Sequence, residues 1–258
     1  GELKKGTIQV GDQLIAEVDE TRRKTIENNH TATHLLHFAL TQVLGQHIKQ
    51  AGSVVDASRL RFDFNHHKAL SQEEIEQIED LVNSKIRENQ KVSSYEIPFD
   101  EAVKKQEIKQ FFGEKYGNKV RVIDIDYSKE LCGGTHTAQV GNIGYFRITK
   151  ESSIAAGVRR IEAVTGAAAV EFARQSDHLI HTLAAKLKTT APKLMERIEK
   201  LSDENKELEL QLKHLKKQQL QVMVHSLLNA EEKINGISLI SKTLEIAPSE
   251  LRALAEEI

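Results

Sequence analysis

The sequence predicts an α+β fold: a mixed helix and sheet domain, a long helical arm with a coiled-coil pattern, and a short α/β piece cut off at the C-terminal end. Three observations carry this prediction. Short runs such as Leu60-Arg61-Phe62-Asp63-Phe64 alternate between apolar and polar, as half-buried strands do. Longer runs place apolar residues three and four apart, the spacing of one helix face. Past Gly166, glycine is absent until Gly236, and apolar residues there recur every seventh position.

Taken in order, residues 1–20 alternate loosely around Thr7-Ile8-Gln9-Val10 and Leu14-Ile15-Ala16-Glu17-Val18, with Gly11-Asp12 between. They read as a hairpin, the end of a preceding β element. Residues 21–166 form the mixed domain. A helix is expected from Asn28 to about Gln50, carried by Leu35, Leu36, Ala39, Leu40, Val43 and Leu44. A strand at Leu60–Phe64 comes next. Ser71-Gln72-Glu73-Glu74 resembles a capping box and opens a helix whose apolar face is Ile75, Ile78, Leu81, Val82 and Ile86. Pro98 closes a strand, and a short helix is expected from Phe99 to Phe112. Further strands are expected at Val120–Ile125, Ile143–Ile148 and Ile161–Val164.

Residues 167–228 form the arm. One helix runs to Lys188, Pro192 interrupts, and a second helix continues to about Leu228. Leu187, Leu194, Leu201, Leu208, Leu215 and Val222 are seven apart, with Ile198 and Leu212 in a second seam position and Asn205 between them. This pattern serves a helical hairpin within the chain or self-association between chains. Residues 229–258 read as the start of a C-terminal domain, with a strand at Ile237–Ile240 and a helix from Pro248.

With 258 residues, 39% of them apolar and 29% charged, the chain is long enough for one sizeable core or two smaller ones. No apolar run of about eighteen residues suggests a membrane span. The N-terminus is too polar for a signal peptide. Cys132 is the one cysteine, so no internal disulfide forms, and a reducing, cytoplasmic setting is expected. The net charge of -2 leaves any RNA contact to local basic patches. Met195 and Met223 are the only methionines, and the last eight residues read as helix. Both ends suggest a piece of something longer.

The most informative segment is His30-Thr31-Ala32-Thr33-His34. Two histidines four apart lie on one helical face, where both rings reach a single ion. The second segment is Cys132-Gly133-Gly134-Thr135-His136, whose glycines permit a tight turn that brings thiolate and imidazole together. The four side chains make a tetrahedral donor set suited to Zn2+. His37 competes, because it sits three residues past His34 on the same face. Spacing alone leaves His30 with His34, or His34 with His37. Thr31 stands where a zinc protease helix would carry its glutamate, which argues against that chemistry. His66 and His67 read as solvated surface groups.

Six blocks occur in a fixed order: Asn29 to His37, Gln50-Ala51-Gly52-Ser53, Leu60 to Phe64, Phe112 to Gly117, Leu131 to His136, and Gly157 to Ala163. The series resembles the editing domain of bacterial alanyl-tRNA synthetases over about residues 20–166, and the helices and terminal segment past Gly166 resemble the start of their C-terminal region. No stretch resembles the aminoacylation core. The resemblance implies zinc held by His30, His34, Cys132 and His136. It also implies Thr33 and Gln50 in the substrate pocket.

The expected function is therefore hydrolysis of the ester joining serine or glycine to the 3′ end of tRNA(Ala). A pocket made for alanine rejects these two amino acids poorly, which is why a second, hydrolytic site is needed. Arg159 and Arg160 are candidates for tRNA contact. Lys206, Lys213, Lys216 and Lys217 read more simply as solvated helix charge. Two other readings share the motifs: a free-standing protein that edits tRNA charged elsewhere, and a zinc-stabilised RNA-binding module with a coiled-coil arm and no catalysis.

Overall fold

The computed structural model of the chain describes residues 2–109, 117–244, 251 and 254. It divides into two compact units, Gly1–Ser176 and Asp177–Ile258. The fold is α+β, as the sequence predicts.

In the first unit, the hairpin expected over residues 7–18 does not form. A single turn closes there, with the Asp12 amide donating to the Gln9 carbonyl. Its apolar residues gain no partner surface: Leu14 is 70% and Ile15 99% exposed. Helix α1 (Glu20–Leu44) begins eight residues before the expected Asn28. Asp19 caps it by accepting from the Arg22 amide. Its first turns, Thr21-Arg22-Arg23-Lys24, carry no apolar stripe for periodicity to detect. It stops at Gly45, whose φ is 111°. Gln50 therefore lies outside the helix and opens strand β1 (Gln50–Val55). Strand β2 (Leu60–Asn65) is next, then α2 (Gln72–Glu88), where Ser71 and Glu74 form the anticipated capping box.

Strand β3 (Ser93–Pro98) leads into α3 (Phe99–Lys104), which is shorter than expected. The chain turns at Lys105, and Ile108 enters a core as part of strand β4 (Ile108–Lys109). Most of the Phe112–Gly117 block lies outside the described residues. Strands β5 (Lys119–Asp124) and β6 (Lys129–Leu131) come next. Ile143, expected to open a strand running to Ile148, instead closes a 3-10 turn over Val140–Ile143, ended by Gly144 at φ 77°. That turn delays the start of β7 (Phe146–Ala155), which pairs with β8 (Val158–Thr165).

Two four-stranded sheets result. One has the antiparallel order β1-β2-β8-β7, and the other has the order β3-β5-β6-β4, with β4 parallel to β6. The main core joins Phe62 and Phe64 of β2 to Leu35, Leu36 and Leu40 of α1 and to Ile78 and Val82 of α2. Alternation along β5 divides its residues between cores: Ile123 belongs to the main core, Val120 and Val122 to a smaller one with Ala102 and Leu131.

Helix α1 is buried almost all round between Asn29 and Thr41. Its buried polar groups are therefore held to a strict requirement for partners. The Asn29 amide donates to the Asp56 carbonyl at 2.8 Å, and its oxygen accepts from Thr165 at 2.7 Å. These two bonds tie the helix to one end of the β2–β8 pair, where β2 begins and β8 ends.

Helix α4 (Gly166–Lys186) leaves the first unit. In the second unit, Pro192 lies in a 3-10 turn, and α5 (Leu194–Leu228) ends where the heptad pattern ends. Strands β9 (Glu232–Ile234) and β10 (Ile237–Leu239) form a hairpin across Asn235-Gly236, both at positive φ. The helix expected from Pro248 falls largely outside the described residues. Along α5, Leu208, Leu215 and Val222 are 62%, 60% and 70% exposed, so the seam is uncovered there.

Replacing Asn29 with alanine orphans the Asp56 carbonyl and the Thr165 hydroxyl. It should lower stability by about 1–3 kcal/mol. Urea denaturation followed by circular dichroism would show this as an earlier transition.

Candidate metal centre

His30 and His34 lie one turn apart on α1. Cys132 directly succeeds β6, and His136 lies on the loop beyond it. The structure brings all four together, with their donor atoms within 4.8 Å of one another. Cys132 Sγ lies 3.3 Å from His30 Nε2 and 3.4 Å from His136 Nε2. In a tetrahedral zinc site with bonds of about 2.0–2.3 Å, donors stand about 3.3–3.8 Å apart. His34 Nε2 is buried without a hydrogen-bond partner. A buried imidazole nitrogen among three other donors is what a cation site leaves unsatisfied until it is filled. The residues fit zinc.

The loop carrying Cys132 and His136 is held at several points. The Cys132 amide donates to the Arg121 carbonyl, and the Arg121 guanidinium donates back to the Gly134 carbonyl at 2.7 Å. Thr31 accepts from the Thr137 amide at 3.2 Å and lies 3.3 Å from His136 Nδ1. Gly134 is required by close approach, because a Cβ there would stand 2.0 Å from His30 Cε1. Gly133 has open space around it.

His37 is not a fourth ligand. Its Nδ1 lies 2.8 Å from Glu130 Oε1, while His34 Nδ1 lies 2.5 Å from Oε2 of the same carboxylate. Sequence reading missed Glu130. The available signal was its position two residues before Cys132, on the same side of an extended chain.

A cavity of about 210 Å³ is lined by His30, His34 and Cys132 of the donor set, and by Thr33, Gln50 and Ser53. Gln50 and Ser53 are three apart and in a regular strand would face opposite ways. The β1–β2 register shifts between Gln50 and Gly52, and this bulge puts both on the pocket side. Gln50 donates to Ser53 Oγ at 3.1 Å. Thr33 lines the pocket while its hydroxyl donates to the Asn29 carbonyl. Arg159 and Arg160 do not line it. Each guanidinium binds a carboxylate on the sheet, Glu151 and Asp63 respectively.

The charges within the cluster are strongly coupled. Burial pushes the Cys132 thiol up, but hydrogen bonds from His136 and His30, with the charge of His34 beside it, outweigh it and bring the thiol down to about 3. Burial pulls His34 down, and the charge of Glu130 more than reverses this, to about 10. Burial and its imidazole neighbours hold His136 at about 4. Around neutrality the metal-free cluster is thus a thiolate beside a protonated His34. The Cys132 contribution to stability is complete above the unfolded thiol pKa and is lost as pH falls towards 3. The His34 contribution is complete below about 6.5 and is lost as pH rises through 10. Alkylation of Cys132 in metal-free protein should therefore proceed at a rate nearly independent of pH between 5 and 8. An ordinary thiol accelerates about tenfold per unit over that range. Timed iodoacetamide labelling with mass detection checks this.

Residues 120–162 match the family described as the threonyl and alanyl tRNA synthetase second additional domain. The chain is 46% identical over 240 residues to the alanine--tRNA ligase of Chlamydia muridarum, covering 93% of this chain and 27% of that protein. It is 42% identical over 258 residues to that of Paraburkholderia phytofirmans, covering all of this chain and 29% of the relative. The chain thus spans less than a third of the length of the curated relatives it matches. With close similarity running through both units and a family match across the Cys132 loop, the chain belongs to the alanyl-tRNA synthetase family, as one segment of it.

Proposed function

We propose that this segment hydrolyses the ester joining serine or glycine to the 3′ end of tRNA(Ala), with a zinc ion held by His30, His34, Cys132 and His136. One observation carries the reading: a small polar pocket is lined by His30, His34 and Cys132, three of four converged side chains that could hold a metal ion. When bound, zinc supplies a Lewis acid that orients or polarises the group set against it. The remaining roles belong to side chains. Thr33 gives its hydrogen to the Asn29 carbonyl, so its oxygen is left to accept from the hydroxyl of a seryl group. Gln50 gives an amide hydrogen to Ser53, and its amide oxygen is left to receive the substrate amino group or a water. Both residues are anchored, so they select by position without ordering cost at the moment of binding. Arg159 and Arg160 would meet RNA phosphates with the guanidinium hydrogens that Glu151 and Asp63 do not use. A cytoplasmic setting accords with the substrate. We further propose that the uncovered heptad face of α5 self-associates as a coiled coil.

A second reading is favoured by the completeness of the donor set. Four protein ligands fill a tetrahedral zinc site, as structural zinc sites do. In that case the domain is an RNA-binding module without catalysis.

The deciding assay compares serine-charged with alanine-charged tRNA(Ala) as substrates of the zinc-loaded chain. Selective loss of the serine ester is expected, and Cys132→Ala should abolish it. Hydrolysis unchanged in Cys132→Ala would sink the editing reading. No hydrolysis by a folded, zinc-loaded chain would favour the structural one. Within the same assay, Thr33→Val should slow serine release by about 10-fold, the value of one hydrogen bond near 1.4 kcal/mol, while leaving thermal stability close to the parent.

A further inference from the structure

We propose that Glu130 is a positioning residue that sets which nitrogen of His34 faces the metal, and that His37 and Ser128 hold Glu130 in place. This rests on the reading of the cluster as a zinc site. The Glu130 side chain is 1% exposed. Its Oε2 lies 2.5 Å from His34 Nδ1 and its Oε1 2.8 Å from His37 Nδ1, and Ser128 donates to Oε1 at 3.2 Å. An ionised carboxylate only accepts hydrogen bonds. Both Nδ1 atoms must therefore carry hydrogen. For His34 this leaves the lone pair of the neutral ring on Nε2, the buried atom that lacks a partner and lies among the other donors. His37 is three residues on from His34, so one carboxylate spans both rings from across the core.

The same geometry sets Glu130 to hold histidines rather than to take a proton in hydrolysis. Its oxygens already lie against His34 Nδ1 and His37 Nδ1, and although it borders the cavity its side chain is 1% exposed. Its neighbour Leu131 belongs to the smaller core, which fixes the strand that presents Glu130 and Cys132 together. One short segment thus supplies both a metal ligand and the group that aims another.

Glu130→Gln tests the role, because an amide offers one acceptor and one donor where the carboxylate offers two acceptors. One of the two histidines must then turn over or lose its bond. Zinc affinity of the full chain, measured by chelator competition, should fall about 10- to 100-fold, with the metal-free melting temperature reported alongside. In the zinc-loaded parent, nitrogen-15 spectra of labelled histidine should show His34 with a slowly exchanging proton on Nδ1 and metal on Nε2. Unchanged affinity in a folded Glu130→Gln chain, or metal on His34 Nδ1 in the parent, would overturn the proposal. If the variant does not fold, the parent spectrum decides alone. A parent that binds no zinc overturns the underlying metal reading, and this proposal with it, which is a distinct result.

Discussion

Everything in the first unit turns on the burial of a polar helix. From Asn29 to Thr41, α1 runs through the core with asparagine, threonine and histidine on its surface as well as leucine. Such a helix is stable only where neighbouring elements answer each donor and acceptor, since an unanswered one costs roughly 1–3 kcal/mol. The answers come from far along the chain: Asp56 and Thr165 for Asn29, Glu130 for His34 and His37, and Thr137 for Thr31. These partners define where the strands and the Cys132 loop can sit. The apolar contacts of Leu35, Leu36 and Leu40 supply the larger free energy, about 1.5–3 kcal/mol for each fully buried side chain. They say little about register along the helix. The polar pairs supply that.

The cluster of His30, His34, Cys132 and His136 depends on the same requirement. Three of its donors are histidines placed on or against α1. Two of these have their second nitrogen accounted for, His34 by Glu130 and His136 by Thr31. Against the cost of burial, Glu130 and then Cys132 hold the charge on His34, and that charge in turn helps to keep Cys132 a thiolate. The loop between Cys132 and His136 is held by Arg121 through its backbone and its side chain, which ties it to β5.

Much of this was legible in the sequence, and the gaps have physical causes. The donor pairs are local in sequence and obey helical and tight-turn spacing, so His30, His34, Cys132 and His136 could be assembled from pattern and resemblance. Strands β2 and β8 and helix α2 announced themselves by alternation, periodicity and a capping box. The N-terminal turns of α1 did not, because their solvent-facing residues have no apolar stripe. Alternation alone suggests the N-terminal hairpin, yet Leu14 and Ile15 stay largely exposed among the described residues, and unpaired alternation does not make a sheet. Glu130 was passed over for a different reason. A glutamate beside a lysine and a leucine reads as surface charge, and only tertiary structure shows that two histidines 93 and 96 residues away enclose it.

The bulge in β1 has a consequence for how this pocket is written in the genome. Gln50 and Ser53 share a side because one residue is out of step with the ladder opposite. The pocket thus depends on the parity of a short stretch as well as on its letters. Deleting one residue there would keep both side chains in the sequence and turn one of them away. Scanning by substitution, however thorough, samples chains of constant length and passes over that dependence.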